Sequence, residues 1–457
     1  MAALMLLMVS HAAQKTWADP RGGPAEGSVM DLESLSLEAE RRSANLQAAR
    51  HTRMAAEAQL DEARLSPFFQ FQAEGGLAVI PDATGVPGYT RDSPNQLTRG
   101  FGPAIQGRVK GAIPVWTFGK LSAAREAAGH GVKGAEHNLE RVRQQLLFDV
   151  RRAYFGLQLA LDAEQMLSEG LPKLEKAQTK LKQRLADGDA EVEPADGYRL
   201  ATTVAEVAAR SSEVRRLERS TRLALSILAG KSRVRVPDCP SKARAHTPKS
   251  LSWYQTHARN NRPELGMLRA GIGARKADLA AKRAKYFPDL AIGLDLQSQY
   301  IPGRTAWAHY DPYFVGGALI ARWELDFVGH SSRERRAEHQ LLEAEAQQEL
   351  ARQGILLDVG EKYERLTDAD RRLSAWKDGH MSARRWFVSA AQGHQVGTTT
   401  TRELIDGVSA YFKARFAHLQ AVHDHNAALA ALELAVGAPL LTRDEWNLRC
   451  DDGFGAE

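Results

Sequence analysis

Two short stretches of this sequence contain residues whose types and spacing could bind a dinucleotide or a metal ion. Residues 129–134 read Gly-His-Gly-Val-Lys-Gly, the glycine spacing that binds a dinucleotide pyrophosphate where a strand leads into a helix. This stretch follows helical sequence instead, so we interpret its small residues as sites of close helix packing. His423 and His425 resemble metal ligands, but an i, i+2 pair diverges on a helix, and we expect both on a solvated face.

Other chemical signatures do not occur in the sequence. There is no phosphate-binding G-x-x-x-x-G-K-[ST], no nucleophile elbow G-x-S-x-G and no zinc-binding H-E-x-x-H. The net charge of +5 is diffuse rather than focused on one face, which argues against nucleic-acid binding. We therefore expect a protein that is not an enzyme and has no cofactor and no metal.

An acidic turn is the clearest cluster of charge. Four carboxylates alternate in the turn that joins two helical segments: Asp187, Asp189, Glu191 and Glu193. Copies of this turn around a symmetry axis would form a ring in which like charges raise carboxylate pKa values and attract cations. The alternative is a solvated turn that caps helix ends, and the sequence leaves both interpretations open.

The elements that position these turns belong to a duplicated unit. Asp149-Val150 and Tyr154 recur as Asp358-Val359 and Tyr363, each at an offset of 209 (358 − 149; 363 − 154). We predict a signal peptide at 1–13, a first repeat at 30–230, a linker at 231–250, a second repeat at 251–437 and a tail at 438–457. The signal sequence indicates export.

Each repeat starts with a helix, at 30–65 and 251–286, and contains an unusually long helix. The patterns predict long helices over 121–187 and 331–392 and returning helices over 196–230 and 401–437. At 1.5 Å per residue each long helix reaches roughly 90 to 100 Å. Their apolar positions step by three and four along a narrow seam, which indicates coiled-coil packing.

Between the helices lie segments in which apolar and polar residues alternate, as in strands. No apolar run reaches the 18 residues that a spanning helix needs, so any membrane span has to be made of strands. Alternation fits either a lipid-facing barrel wall or a half-buried soluble sheet. The candidate wall residues are Ile105, Val109, Ile113, Leu290, Ile292, Leu294, Leu296, Val315, Leu319 and Trp323.

The chain has two cysteines, Cys239 and Cys450, and each follows the end of one repeat. Their similar location permits a disulfide in an exported protein. Two unpaired thiols are an equal alternative.

Five stretches in order resemble the TolC-like outer-membrane efflux family over about residues 30–440. They are Pro114-Val-Trp-Thr-Phe-Gly119, Arg259-Asn-Asn-Arg-Pro-Glu-Leu265, Lys285-Tyr-Phe-Pro-Asp-Leu290, Trp323-Glu-Leu-Asp-Phe-Val-Gly329 and the closing Ala431-Leu-Glu-Leu-Ala-Val-Gly437. The resemblance implies a mainly α fold with a membrane β-barrel part. In it, a homotrimer forms a twelve-stranded barrel in the cell outer membrane, continued by an α-helical periplasmic tunnel.

The same resemblance implies the function and the partners. It predicts a passive exit duct of a tripartite efflux or secretion system, in contact with outer-membrane lipid, a periplasmic adaptor (membrane fusion) protein and an inner-membrane pump. The turn Gln395-Val-Gly-Thr398 resembles the adaptor-docking turn of the family, which makes Val396, Gly397 and Thr398 the docking candidates. The acidic first turn departs from the family pattern.

Two other functions remain open at this point. One is a soluble periplasmic coiled-coil adaptor or scaffold whose strands form a small sheet. The other is a cytosolic coiled-coil structural protein, which requires that the N-terminal apolar segment is not a signal.

Overall fold

The computed structural model describes residues 29–68, 70–84, 96–189, 192–300 and 313–447. The predicted signal peptide, residues 1–13, lies outside these ranges, as does the end of the tail from residue 448. The domain boundaries proposed from the sequence stay a prediction.

Both halves of the chain contain the same series of elements: two short helices, two strands, one very long helix and one returning helix. The first half consists of α1 (Leu32–Arg42), α2 (Ala44–Leu65), β1 (Gln70–Thr84), β2 (Gln96–Trp116), α3 (Lys120–Ala186) and α4 (Pro194–Ala229). The second half consists of α5 (Leu251–Asn261), α6 (Pro263–Ala284), β3 (Asp289–Tyr300), β4 (Tyr313–Arg322), α7 (Phe327–Gln395) and α8 (Thr401–Val436). A one-turn helix, α9 (Arg443–Trp446), follows.

The long helices are continuous. α3 has 67 residues and α7 has 69, so each is about 100 Å long at 1.5 Å per residue. The returning helices end as predicted at Gly230 (φ 61°) and Gly437 (φ 73°), whose left-handed backbone closes the last turn. Within the described ranges, no helix combines the length and the apolar character needed to cross a membrane.

The prediction of one helix at the start of each repeat was wrong. α1 and α2 are separated at Ser43 (φ −58°, ψ 118°), whose Oγ accepts a hydrogen bond from the Leu46 N–H at 3.3 Å. α5 and α6 are separated at Arg262 (φ −60°, ψ 119°), which precedes Pro263. The proline ring clashes with a helical conformation of the residue before it, so the helix has to restart there.

The four strands form one antiparallel sheet in the order β1-β2-β3-β4. The central pair joins the two repeats, since β2 pairs with β3 in a register that sets Ile113 opposite Ile292. The sheet is therefore shared by both halves, with β1 and β4 at its edges.

The hydrophobic core divides into two clusters along the helices. One cluster joins α1, α3, α5, α7 and the ends of α4 and α8, with Phe155, Tyr254 and Leu432 fully buried at its centre. The other lies along the first hairpin, α3 with α4, and includes Ile405 of α8. Because residues of both repeats fill each cluster, the two hairpins pack side by side.

Candidate functional site

The strand register gives the sheet two chemically different faces. Residues directly opposite each other in an antiparallel pair lie on the same face, and successive residues alternate between faces. One face is apolar in all four strands, with Phe71, Ala73, Leu77, Val79, Ile105, Val109, Ile113, Leu290, Ile292, Leu294, Leu296, Val315, Leu319 and Ala321. Leu77 is 83% exposed and Val315 77% exposed. A continuous apolar surface of this kind marks contact with lipid or with another chain.

The opposite face carries paired charges on β1, β2 and β3, whereas on β4 it is formed by Phe314, Gly316, Ala318 and Ile320. Arg108 on β2 forms a bidentate ion pair with Asp295 on β3, with Nε to Oδ1 at 2.9 Å. Lys110 Nζ lies 2.6 Å from Glu74 Oε1 on β1. Glutamines at positions 70, 72, 106 and 297 share this face. The charged part of this face is suited to water, whereas the continuous apolar face is suited to hydrocarbon.

Nine of the ten predicted wall residues lie on the apolar face. Trp323 was wrong as a strand residue, because β4 ends at Arg322. The Trp323 indole Nε1 donates a hydrogen bond to the Tyr286 carbonyl oxygen at 3.1 Å instead, and so joins the end of β4 to the end of α6.

The acidic first turn joins α3 to α4 at one end of the molecule. Gly188 adopts φ 72°, and Arg184 Nε donates to Asp189 Oδ2 at 2.6 Å, which compensates that charge within the chain. Asp187 ends α3, and the Glu193 N–H donates to Asp196 Oδ2 at 3.3 Å at the start of α4. Glu191 lies outside the described residues. Both interpretations of this turn, a charged ring and a helix-capping turn, remain predictions.

The second turn joins α7 to α8 and is internally hydrogen-bonded. The Thr398 N–H and Oγ1 both donate to the Gly393 carbonyl oxygen, at 2.8 and 3.1 Å. Gly397 adopts φ 78° and corresponds to Gly188 of the first turn at the repeat offset (397 − 188 = 209). Val396 is 75% exposed. The turn therefore presents one apolar side chain from a fixed backbone.

A buried acid that the sequence did not single out joins the C-terminal segment to α3 and α8. Glu433 on α8 forms an ion pair with Arg151 on α3 at 2.5 Å, and its other carboxylate oxygen accepts from the Leu440 N–H at 3.0 Å and from Trp446 Nε1 at 3.1 Å. The Arg151 guanidinium also lies 4.4 Å from the centre of the Trp446 ring. The sequence feature that could have revealed Glu433 is the closing Ala-Leu-Glu-Leu motif, where one acid interrupts an apolar run.

The prediction of a solvated His423–His425 face was wrong for His425. Its side chain is 5% exposed, with Nε2 at 2.9 Å from the Arg244 carbonyl oxygen and Nδ1 at 2.6 Å from Asp370 Oδ1. Arg244 belongs to the linker between repeats, which covers this part of α8. Among the described residues, no group of three or more His, Cys, Asp or Glu side chains could hold a metal ion.

Two further sequence features can be placed. Residues 129–134 lie inside α3, and a Cβ on Gly134 would be 3.7 Å from Ala270 Cβ on α6, an ordinary packing distance. Cys239 is disulfide-bonded, while Cys450 lies outside the described residues, so the pairing of these two cysteines stays a prediction.

Comparison with known proteins supplies the family. The sequence model described as "Outer membrane efflux protein" matches residues 35–228 and 255–438, most of the chain. A sequence search of curated proteins found no match.

Solved structures with the same fold are outer-membrane channels. VceC from Vibrio cholerae is 17% identical, with 90% of this chain and 97% of that chain covered and a TM-score of 0.71. The CmeC outer membrane channel of Campylobacter jejuni is 14% identical, with 89% and 85% covered and a TM-score of 0.71. The open state of the MtrE outer membrane channel of Neisseria gonorrhoeae is 17% identical, with 90% and 89% covered and a TM-score of 0.71.

The family match covers both repeats, which favours neither the adaptor nor the cytosolic coiled-coil interpretation. The family model indicates a role in efflux at the outer membrane, and the fold is that of solved outer-membrane channels. The chain therefore belongs to the outer membrane efflux protein family.

Proposed function

We propose that three copies of this chain close a twelve-stranded barrel in the outer membrane. The observation that carries this proposal is the two-faced sheet with edge strands β1 and β4. Unpaired strand edges are not tolerated in lipid, and the smallest single-chain membrane barrels have eight strands, so four strands need other copies. β1 of one copy then pairs with β4 of the next, with the apolar face toward lipid and the Arg108–Asp295 face toward a water-filled lumen.

The long hairpins continue the barrel as a tunnel. α3 and α7 extend about 100 Å from the strands to the turns, a distance suited to crossing the periplasm. Cargo then passes from the far end of the hairpins to the cell exterior without touching lipid. The chain acts as a passive conduit and does no chemistry of its own.

Energy for transport comes from partners. A periplasmic adaptor docks on the turn at Val396, Gly397 and Thr398 and connects the duct to an inner-membrane pump. The exposed Val396 side chain and the fixed turn backbone support this role, since a rigid loop with one apolar anchor loses little entropy on binding.

Two arginine substitutions on the same strand test the membrane orientation of the sheet. Leu294→Arg places a charge on the apolar face of β3, whereas Gln297→Arg places the same charge on the polar face. Arginine facing lipid near the bilayer midplane costs about 2–4 kcal/mol, so Leu294→Arg is expected to reduce the trimer recovered from outer membranes at least tenfold. Gln297→Arg is expected to assemble normally.

The comparison is read on semi-native gels of the outer-membrane fraction, with total chain measured in parallel. Equal recovery of both variants contradicts the proposed lipid-facing surface. Loss of the Gln297→Arg trimer alone reverses the assignment of the two faces.

A further inference from the structure

Four aromatic rings form a ladder between the two helices of the second hairpin. Phe387 of α7 stacks on Tyr411 of α8 at 5.5 Å, and Tyr411 lies 5.8 Å from His380 of α7. His380 in turn stacks on His418 of α8, with ring centres 5.6 Å apart and ring planes 16° apart. The rings come from α7 and α8 alternately, so the ladder fastens one helix to the other.

The ladder lies well above the tip of the hairpin. His380 precedes the end of α7 by 15 residues (395 − 380), and His418 follows the start of α8 by 17 (418 − 401). At 1.5 Å per residue these positions are about 22 and 25 Å from the turn. The histidine pair therefore joins the two helices at one height in the shaft that carries the second turn.

The environment of the pair favours neutral rings. His380 Nε2 and His418 Nδ1 are buried and have no hydrogen-bond partner within the described part of the chain. Burial lowers the pKa of both rings. For His380 the positive charges of His418, Arg415 and Arg384 lower the pKa further, and for His418 the charge of Lys377 does so.

The charged groups near the ladder come from three helices. Lys377 and Arg384 belong to α7, and Arg415 of α8 donates a hydrogen bond from Nη1 to Tyr411 Oη at 3.2 Å. From α3, Glu169 and Lys173 border the same groove as Tyr411 and Arg415. The charges that lower the pKa of the two imidazoles are positive, so a proton on either ring meets repulsion from them.

We propose that His380 and His418 form an acid-sensitive latch of the second hairpin. The neutral, stacked rings hold α7 against α8, and protonation drives the rings apart to reach water. In an acidic periplasm the shaft of the second hairpin then loosens above its tip. The latch is a property of the folded chain, and its consequence for opening of the duct rests on the proposed function.

The direction of the pH effect follows from proton linkage. Because the pKa of each ring is lower in the closed hairpin than in an open or unfolded one, the open form binds more protons. The closed hairpin is fully stable above the ordinary histidine pKa of about 6.5 and loses stability as the pH falls from there toward the closed-state pKa. Below the pKa of the rings in the closed hairpin, the stability of the hairpin falls no further.

The first hairpin lacks these histidines and provides an internal control. The two outgoing helices correspond at an offset of 209, as for Gly188 and Gly397, and the returning helices at 207, as for Gly230 and Gly437. His380 therefore corresponds to Leu171, and His418 to Ser211. Neither side chain titrates near neutral pH, so acid should loosen the second hairpin alone.

Hydrogen–deuterium exchange of the full chain in detergent at pH 7.5 and 5.0 tests the latch. Amide protection factors, corrected for intrinsic exchange, are compared between residues 376–390 and 408–422 of the second hairpin and residues 167–181 and 201–215 of the first. We expect protection in the second hairpin to fall at pH 5.0, because the pKa of both rings is lowered in the closed hairpin, and we expect no change in the first hairpin. Equal loss in both hairpins, or no loss in either, overturns the proposal.

Variants identify the groups responsible. Replacing the pair by its counterparts, His380→Leu with His418→Ser, should abolish the acid effect, while His423→Gln, a partly buried histidine of α8 outside the ladder, should preserve it. His380→Asn with His418→Asn keeps polar side chains if the first double variant does not fold. The latch is overturned if the acid effect persists in the double variants, or if it is lost in His423→Gln. Exchange is measured on the folded chain, so it tests the latch even if the chain does not form the proposed channel.

Discussion

At the scale of single residues, positive φ angles set where this chain can turn. Gly397 (φ 78°) and Gly437 (φ 73°) have the same left-handed backbone but different surroundings. A Cβ on Gly397 would meet nothing within 4 Å, whereas a Cβ on Gly437 would lie 2.9 Å from Arg262 Cα and 3.0 Å from Arg262 N. Backbone atoms cannot move aside as the end of a side chain can.

This difference predicts unequal costs for the same substitution. Gly397→Ala should lower the free energy of unfolding by about 1–2 kcal/mol, the strain of a left-handed alanine. Gly437→Ala should cost about 1–3 kcal/mol more, because α8 must also shift from Arg262. Chemical denaturation followed by circular dichroism measures both. Similar stability of the two variants contradicts the close approach at Gly437.

Residue-scale features that depend on distant parts of the chain were the hardest to predict. His425 is covered by Arg244, 181 positions away, so helical periodicity alone placed it in solvent. His380 and His418 meet through the register of the hairpin, which no local pattern reveals. The nine strand residues on the apolar face were predictable because alternation is a property of neighbouring positions.

At the scale of elements, the second turn offers the sharpest test of partner binding. Val396→Asp puts a charge on the exposed apolar side chain while Gly397 and the Thr398–Gly393 hydrogen bonds remain. Loss of a central apolar anchor costs about 2 kcal/mol or more, so adaptor affinity should fall about 30-fold. Binding to the cognate adaptor by surface plasmon resonance measures this change, with the thermal midpoint as a folding control.

Val388→Asp is the matched control for this test. Val388 is an exposed valine on the shaft of α7, eight positions before Val396 (396 − 388). We expect this variant to bind the adaptor normally. Wild-type affinity in Val396→Asp, or an equal loss in both variants, removes the second turn as the docking site.

The long helices were predicted from the sequence, and the two breaks in the helices that start each repeat were not. Helical periodicity over more than 60 residues located α3 and α7 to within a few residues of their ends. The break at Arg262 had a local signal, the following Pro263, that went unused, while the break at Ser43 lies in an Ala- and Glu-rich stretch that favours helix. The hydrogen bond from the Leu46 N–H to Ser43 Oγ accompanies this second break, and composition does not record it.

At the scale of the whole molecule, the duplicated halves form a single body. They share one sheet through β2 and β3, and one core in which α1, α5 and the ends of both hairpins meet. Glu433 adds a buried connection between α3, α8 and the segment that leads into α9. This arrangement leaves the apolar sheet face and the edges of β1 and β4 for contacts beyond the chain.

Electron microscopy of detergent-purified particles tests the central claim most directly. The account predicts a threefold-symmetric particle with a detergent-covered barrel at one end and a helical stalk about 100 Å long at the other. A monomeric particle without a detergent belt, recovered from the soluble fraction, contradicts it.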